Sequence, residues 1–424
     1  MQNSKREFLK NIAGASAAFT LLPFETLEPS FSKIAHLTPQ EAAQKEDFWS
    51  DIRQAYRIKP DYINLENGYY SMQSEEVLKA YISHVKEVNY QASYYMRTRQ
   101  FDDKTAMRQK LATLLGCATE ELAITRNTTE SIDSVILGMD WKAGDEAVMA
   151  MQDYGAMLDM FKQQARRYGI VNKIISLPNH PESDEEIVDL YEKAISPKTR
   201  LLMVCHMVNI TGHILPVKKI CDMAHRHGVE VIVDGAHAFA HIDFKINDLG
   251  CDYYASSLHK WLGCPLGAGI LYVKKDKIKN LWGMLADNGY ADDDIRKLNH
   301  TGTHPVHTDL AIANAIQFHE KIGSQRKEAR LRFLQEYWTK QVRNIKGITV
   351  NTPADTQRAC GIANVGVSHL KPAVLAKTLL EKYKIWTVAI DYANVQGVRV
   401  TPHVYTTTEE LTMFVKALKN IVAG

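Results

Sequence analysis

The run Val231-Ile232-Val233-Asp234 has the pattern of a strand that ends in an acid, and Lys260 follows 26 residues later within Ser257-Leu258-His259-Lys260-Trp261. A lysine can hold a carbonyl compound as an imine, and a carboxylate buried at a strand end can keep a ring nitrogen protonated. Together they suit chemistry in which a conjugated ring takes up electrons from a carbanion. An Asp and a Lys at that distance mean little alone, so the surroundings decide. Gly235-Ala236-His237-Ala238 follows the acid and Ala255-Ser256-Ser257 precedes the lysine. Both are runs of small and hydroxyl residues that let a phosphate and a flat ring approach the backbone.

Other segments carry weaker signals. Arg126-Asn127-Thr128-Thr129-Glu130-Ser131 follows an expected strand and opens a helix. Unpaired N–H groups and the hydroxyls of Thr128 and Thr129 would face an incoming anion there, although the same residues also read as an ordinary cap. Tyr154 in Asp153-Tyr154-Gly155-Ala156 offers a flat stacking surface or lines a core edge. Asn209 in Val208-Asn209-Ile210-Thr211-Gly212 is a hydrogen-bonding side chain or a turn residue. His300, His304 and His307 are close in sequence, but they share no helical face and have no acidic cluster beside them, so no metal site is expected.

The stretch DGAHAFAHIDFKINDLGCDYYASSLHKWLGCPLGAGILYV resembles the pyridoxal-phosphate segment of class V aminotransferase-like enzymes of fold type I, in particular the isopenicillin N epimerase-like branch. The wider family includes cysteine desulfurases, selenocysteine lyases and kynureninases. The likeness runs from about Asp61 to the C-terminus, and the His-Lys-Trp segment is its most specific part. It implies pyridoxal 5'-phosphate as cofactor, with Lys260 as the Schiff-base residue and Asp234 paired to the ring nitrogen. Thr128, Thr129, Ser257 and His259 would hold the phosphate. Tyr154 would lie over the ring, where many members carry histidine, and Asn209 would reach the phenolic oxygen. His237 would approach the same ring or its phenolic oxygen, or serve as a hydrogen-bonded structural histidine. Thr303, in Thr301-Gly302-Thr303-His304-Pro305, would join the phosphate site of a neighbouring subunit, which implies a homodimer with shared active sites. Asn67 and Gly68 would close over the substrate, Gly68 alternatively being a turn residue, and Arg399 would receive a substrate carboxylate, for which its planar fork is suited.

These roles imply an amino-acid substrate and chemistry at its α-carbon, of epimerase or aminotransferase type. Desulfurases and selenocysteine lyases place a catalytic cysteine just before the final arginine segment, and here that stretch reads Ile390-Asp391-Tyr392-Ala393-Asn394-Val395-Gln396-Gly397. Cys360, the nearest cysteine, opens an apolar strand-like run and reads as a packing residue. A C–S or C–Se lyase is therefore the alternative reading, and a non-catalytic binding module of the same fold is another.

The elements that must position these groups follow from apolar periodicity. Runs at 147–151, 173–175, 200–205, 230–234, 253–255 and 269–273 read as strands, separated by helical patterns at 157–168, 184–194 and 217–227. This alternation predicts an α/β fold with a mostly parallel sheet and ligands at the carboxyl ends of its strands. Helical stretches at 306–322 and 325–342, strands near 348–351, 362–367, 385–390 and 398–401, and a last helix from about Thr408 predict a smaller α+β domain. The expected division is an N-terminal arm at 1–36, a large cofactor domain at 37–305 and a small C-terminal domain at 306–424. Thr38-Pro39-Gln40-Glu41 reads as a capping box opening a helix.

Lys and Arg number 51 against 49 Asp and Glu, a net charge of +2, which favours neither nucleic acid nor an anionic membrane as partner. No run beyond the first forty residues approaches a membrane span. Ser4-Lys5-Arg6-Glu7-Phe8-Leu9-Lys10 precedes a small-residue apolar stretch and resembles a twin-arginine signal with Lys5 in place of the first arginine. It implies periplasmic export, and a cytoplasmic protein with an N-terminal arm is the alternative. Cysteines 117, 205, 221, 251, 264 and 360 form no C-x-x-C pair, so no disulfide framework is expected.

Overall fold

A computed structural model describes residues 27–423. The export-signal-like segment at 4–10 lies outside the described residues. Seven strands form the main sheet: β1 (Leu122–Thr125), β2 (Glu146–Ala150), β3 (Val171–Ile175), β4 (Thr199–Cys205), β5 (Glu230–Asp234), β6 (Tyr253–Ser257) and β7 (Gly269–Val273). Their spatial order is β1-β7-β6-β5-β4-β2-β3. Pairings from β3 across to β6 are parallel, while β7 runs antiparallel to both β6 and β1. The central strands β2, β4, β5 and β6 are almost wholly buried because helices cover both faces, and this is why they read as unbroken apolar runs.

Helix Thr128–Gly138 follows β1, and helix Gly155–Tyr168 follows β2. Each therefore starts at the carboxyl edge of the sheet. Register places Cys205 opposite Asp234, and Asp234 opposite Ala255 on the following strand. The parallel order thus gathers the ends of β2, β4, β5 and β6 along one edge. Gly235 turns the chain away from β5 against the Tyr254 ring, and a Cβ there would stand 2.0 Å from the phenolic oxygen.

A second, antiparallel sheet joins β8 (Ile348–Val350), β9 (Ala363–Val367), β10 (Val388–Tyr392) and β11 (Val395–Val400) in the order β10-β11-β9-β8. The expected single strand at 385–390 is two: Ile385–Trp386 pairs in parallel with Ile63–Asn64, whereas β10 pairs with β11. The bend at Thr387 sends the two pieces to different sheets. Helices Ser324–Val342 and Thr408–Ala423 pack on the second sheet, where Trp338 meets Phe414 edge to face at 5.2 Å. Helix Val306–Ile322 instead contributes Ile312, Ala315 and Ile316 to the larger core and packs on helices Glu75–Gln91 and Gln100–Leu115. Among the described residues no helix is long and apolar enough to cross a membrane.

Candidate active site

The strand ends enclose a cavity of about 360 Å³. Its wall contains Thr128, Thr129, Tyr154, Asn209, Asp234, His237, Ser257, His259, Lys260, Gly68 and Arg399, eleven of the residues singled out from sequence. They come from six connections and from both sheets.

One end of the cavity is built for an anion. Asn127 caps helix Thr128–Gly138 by accepting from the Glu130 N–H at 2.9 Å, which leaves the first turn facing the cavity. Thr128 donates its N–H to Ser257 Oγ at 2.9 Å, and the two hydroxyls lie 2.7 Å apart. The His259 ring also lines this cavity, and its buried Nδ1 has no partner among the described residues. Burial and the nearby Lys260 draw the pKa of His259 down to about 4, so its ring is neutral at neutral pH.

The same cavity carries the acid and the amine. Asp234 is buried at the end of β5, and among the described residues only the Ala236 N–H, at 3.0 Å, donates to its carboxylate. Burial raises its pKa; the Ala236 N–H and the Lys260 charge oppose that rise. A buried carboxylate so poorly paired suits a cationic N–H donor. Asp153, at the end of β2, accepts from the Ala150 N–H at 2.8 Å and from the Cys205 thiol at 3.2 Å. Burial, reinforced by the charge of Asp234, pushes Asp153 up to about 7.

Lys260 keeps some exposed surface through the cavity mouth, but its amine is enclosed, and burial draws its pKa down to about 8 despite the pull of Asp234. The lysine loop is held at three successive carbonyls. The Ser71 N–H donates to that of His259 at 3.3 Å, the Ser71 hydroxyl to that of Lys260, and the Lys327 side-chain amine to that of Trp261.

Two of the singled-out residues do not line this cavity: Asn67, expected here, and Thr303, expected at the site of a neighbouring subunit. Asn67 is wholly buried behind the cavity wall: its amide donates to the Thr401 carbonyl at 2.7 Å and its Oδ1 accepts from Tyr405 at 2.7 Å. It therefore pins the segment that presents Gly68 rather than facing a substrate. Thr303 lines a separate cavity with Phe101, Arg108 and His304, away from this chain's own Lys260. His304 and His300 pair with different carboxylates, Asp309 at 3.0 Å and Asp287 at 3.4 Å. Sequence reasoning missed Glu66, Arg126, Asp153 and Cys205. Asp153 repeats the strand-end acid pattern of Asp234, and Glu66 directly precedes Asn67-Gly68, so both carried a signal.

The sequence matches the aminotransferase class-V family over residues 64–414. The chain belongs to that family. It is thus a pyridoxal 5'-phosphate-dependent enzyme of the fold type I class. It is 31% identical to isopenicillin N epimerase of Amycolatopsis lactamdurans, over 74% of this chain and 84% of that protein. It is 28% identical to a probable cysteine desulfurase of Halalkalibacterium halodurans, over 75% of this chain and 80% of that protein. The fold of this class-V enzyme is also that of the cysteine desulfurase of Thermococcus onnurineus NA1, with a TM-score of 0.79 and 22% identity, covering 88% of this chain and 98% of that one. The unpartnered side of Asp234, the Thr128–Ser257 hydroxyl pair with the orphan His259 nitrogen, and the enclosed Lys260 amine fit three parts of that cofactor: ring nitrogen, phosphate and carbonyl carbon.

Proposed function

We propose that this class-V enzyme moves a proton on and off the α-carbon of an amino acid, as an epimerase or aminotransferase does, with Lys260 as cofactor anchor and proton carrier. The convergence of Asp234, His237, Lys260 and Arg399 on one cavity carries this proposal. Pyridoxal 5'-phosphate, when bound, supplies a conjugated ring that accepts the electron pair left on the α-carbon. Asp234 would hold the ring N–H, and Thr128, Thr129, Ser257 and His259 the phosphate. Tyr154 would cover the ring and Asn209 reach its phenolic oxygen. Lys260, with a pKa of about 8, has an appreciable unprotonated fraction at neutral pH and so can accept a proton at Nζ. Arg399 would turn a substrate carboxylate towards it.

A persulfide route through an enzyme cysteine has little support. By the family resemblance, the hairpin β10–β11 corresponds to the stretch in which desulfurases carry the catalytic cysteine, and it holds none here. Asn394 at its tip accepts from Gln152 at 2.8 Å and donates to the Leu177 carbonyl at 2.8 Å. Cys205 does line the cavity, but its thiol is engaged by Asp153 and burial raises its pKa well above the usual value. A thiolate nucleophile is thereby disfavoured. Sequence similarity to desulfurases keeps a C–S lyase that needs no such cysteine as the second reading.

Two further parts of the proposal concern assembly and location. Homodimerisation is supported by Thr303 lying outside its own chain's cavity and by exposed aromatic side chains at Tyr69, Tyr90, Tyr94 and Phe101. Sedimentation velocity tests it, and a monomer at micromolar concentration overturns it. Export of the folded protein is supported by the segment 4–10, and cell fractionation tests it.

The decisive experiment incubates the holoenzyme with single amino acids in deuterated water and follows α-hydrogen exchange, chirality and loss of side-chain groups. Exchange with inversion or amino transfer is expected. Cofactor-loaded protein that exchanges no α-hydrogen overturns the proposal, and sulfide release favours the lyase.

A further inference from the structure

Trp261, directly after the anchor lysine, donates its indole N–H to Nδ1 of His237 at 3.3 Å, and Nε2 of the same imidazole lies 3.3 Å from Lys260 Nζ. An indole nitrogen is a donor only, so Nδ1 must present a lone pair, and a neutral imidazole then carries its proton on Nε2. We propose that Trp261 is a positioning residue: it fixes His237 in the Nε2–H tautomer, so that the ring offers a donor to Lys260 Nζ and to whatever acceptor the cofactor places beside it. The inference rests on the assignment of Lys260 and His237 to the active site.

The chemistry at the Nζ contact is one-sided. An ammonium has three donors and no lone pair, so Nε2–H can bond only to the unprotonated amine. The tautomer therefore favours the neutral lysine that must react with a carbonyl group. Lys260, Arg399, His241 and His259 are the basic groups that act on His237, and Asp234 is the acid that shares its cavity. Burial, aided by the charges of Lys260 and Arg399, keeps the imidazole uncharged.

Trp261 is held so that its N–H has little choice of partner. The His241 ring lies 3.7 Å from the indole, and His403 stacks on it at 5.5 Å with 12° between the planes. His403 in turn stacks on Tyr405 at 4.5 Å. The Lys327 amine bonds the Trp261 carbonyl, and His241 Nδ1–H donates to the His237 carbonyl at 2.8 Å. These contacts point donors towards His237 from one side and leave Nε2 alone facing the cavity.

The test uses holoenzyme carrying ¹⁵N-labelled histidine, with the His237 signals identified by their loss in His237→Gln. The expected wild-type spectrum has Nδ1 unprotonated and Nε2 protonated across about pH 6–8. Trp261→Phe keeps a ring in the stack but removes the donor. His237 should then populate the Nδ1–H tautomer or take up a second proton, and the pH at which the bound cofactor's absorbance titrates should shift by about one unit. Wild-type His237 with Nδ1 protonated overturns the proposal without recourse to any variant. So does a folded Trp261→Phe protein whose His237 signals are unchanged. The ring signals report the tautomer whether or not cofactor absorbance is present, so failure of the tautomer assignment is distinguishable from failure of the cofactor-site assignment.

Discussion

Glu66 grips Arg399 along one edge of its guanidinium, with Nη2 to Oε1 at 2.5 Å and Nε to Oε2 at 3.2 Å, and both side chains are buried. Nη1 adds a bond to the Asn209 carbonyl at 3.3 Å. The proposed carboxylate receiver is therefore already neutralised, and what remains is a directional pair of N–H groups rather than a net positive charge. Such a pair selects geometry more than charge.

Glu66→Gln keeps the shape of that pair and removes its negative charge. Simple carboxylates such as propionate should then bind the holoenzyme about tenfold tighter, roughly 1.4 kcal/mol. The melting temperature should fall, because a buried cation loses its counter-charge. Competitive binding measured by cofactor absorbance checks the first outcome and calorimetry the second. Unchanged carboxylate affinity would mean that Arg399 does not receive the ligand.

Lys260→Ala should leave the Thr128, Ser257 and Asp234 contacts in place while removing the covalent anchor. Borohydride reduction should then fail to fix cofactor to the chain, and turnover should fall by several orders of magnitude, about the scale for losing both anchor and base. Mass spectrometry of the reduced protein decides. Cofactor fixed to another lysine would defeat the assignment.

The sheet and the cavity were legible in the sequence for a physical reason: central parallel strands are buried on both faces, so their apolar runs end abruptly at the polar residues that line the site. Asp234 and Lys260 stood out because each closes or follows such a run. Helix Gln100–Leu115 was missed although Met107, Leu111 and Leu115 recur at fourfold spacing and Gly116 caps it at φ 82°. The double role of 385–390 was not legible, since two sheets share one apolar run. Asn67 was misplaced because spacing does not reveal whether an amide next to Gly68 turns towards a cavity or, as here, towards Thr401 and Tyr405.

Cys360→Ala should leave turnover within about twofold of the wild type. Cys360 is fully buried in the apolar core, and its thiol donates to the Glu328 carbonyl at 3.7 Å. Loss of one small buried group should lower stability by about 1 kcal/mol. Steady-state kinetics with the substrate found by exchange is the check, and loss of activity in a folded variant would restore the enzyme-cysteine route.

Lys327 is buried against the Trp261 carbonyl with no carboxylate partner among the described residues, and burial draws its pKa from 10.5 to about 7. The folded pKa lies below the unfolded one, so between about pH 7 and 10.5 the unfolded chain holds a proton that the folded chain has shed. Stability contributed by this residue therefore rises with pH across that window, by about 1.4 kcal/mol per unit, and the penalty is full below pH 7. Lys327→Met removes the titration and one hydrogen bond, the latter worth about 1 kcal/mol. The variant should be the more stable protein at pH 6, and its advantage should shrink by about 1.4 kcal/mol per unit above pH 7, vanishing only near about pH 10. Denaturant unfolding of both holoproteins at pH 6, 7, 8 and 9 measures the difference directly. Parallel pH profiles for the two proteins would mean that Lys327 stays protonated in the folded chain, with a water or an unrecognised acceptor compensating its charge.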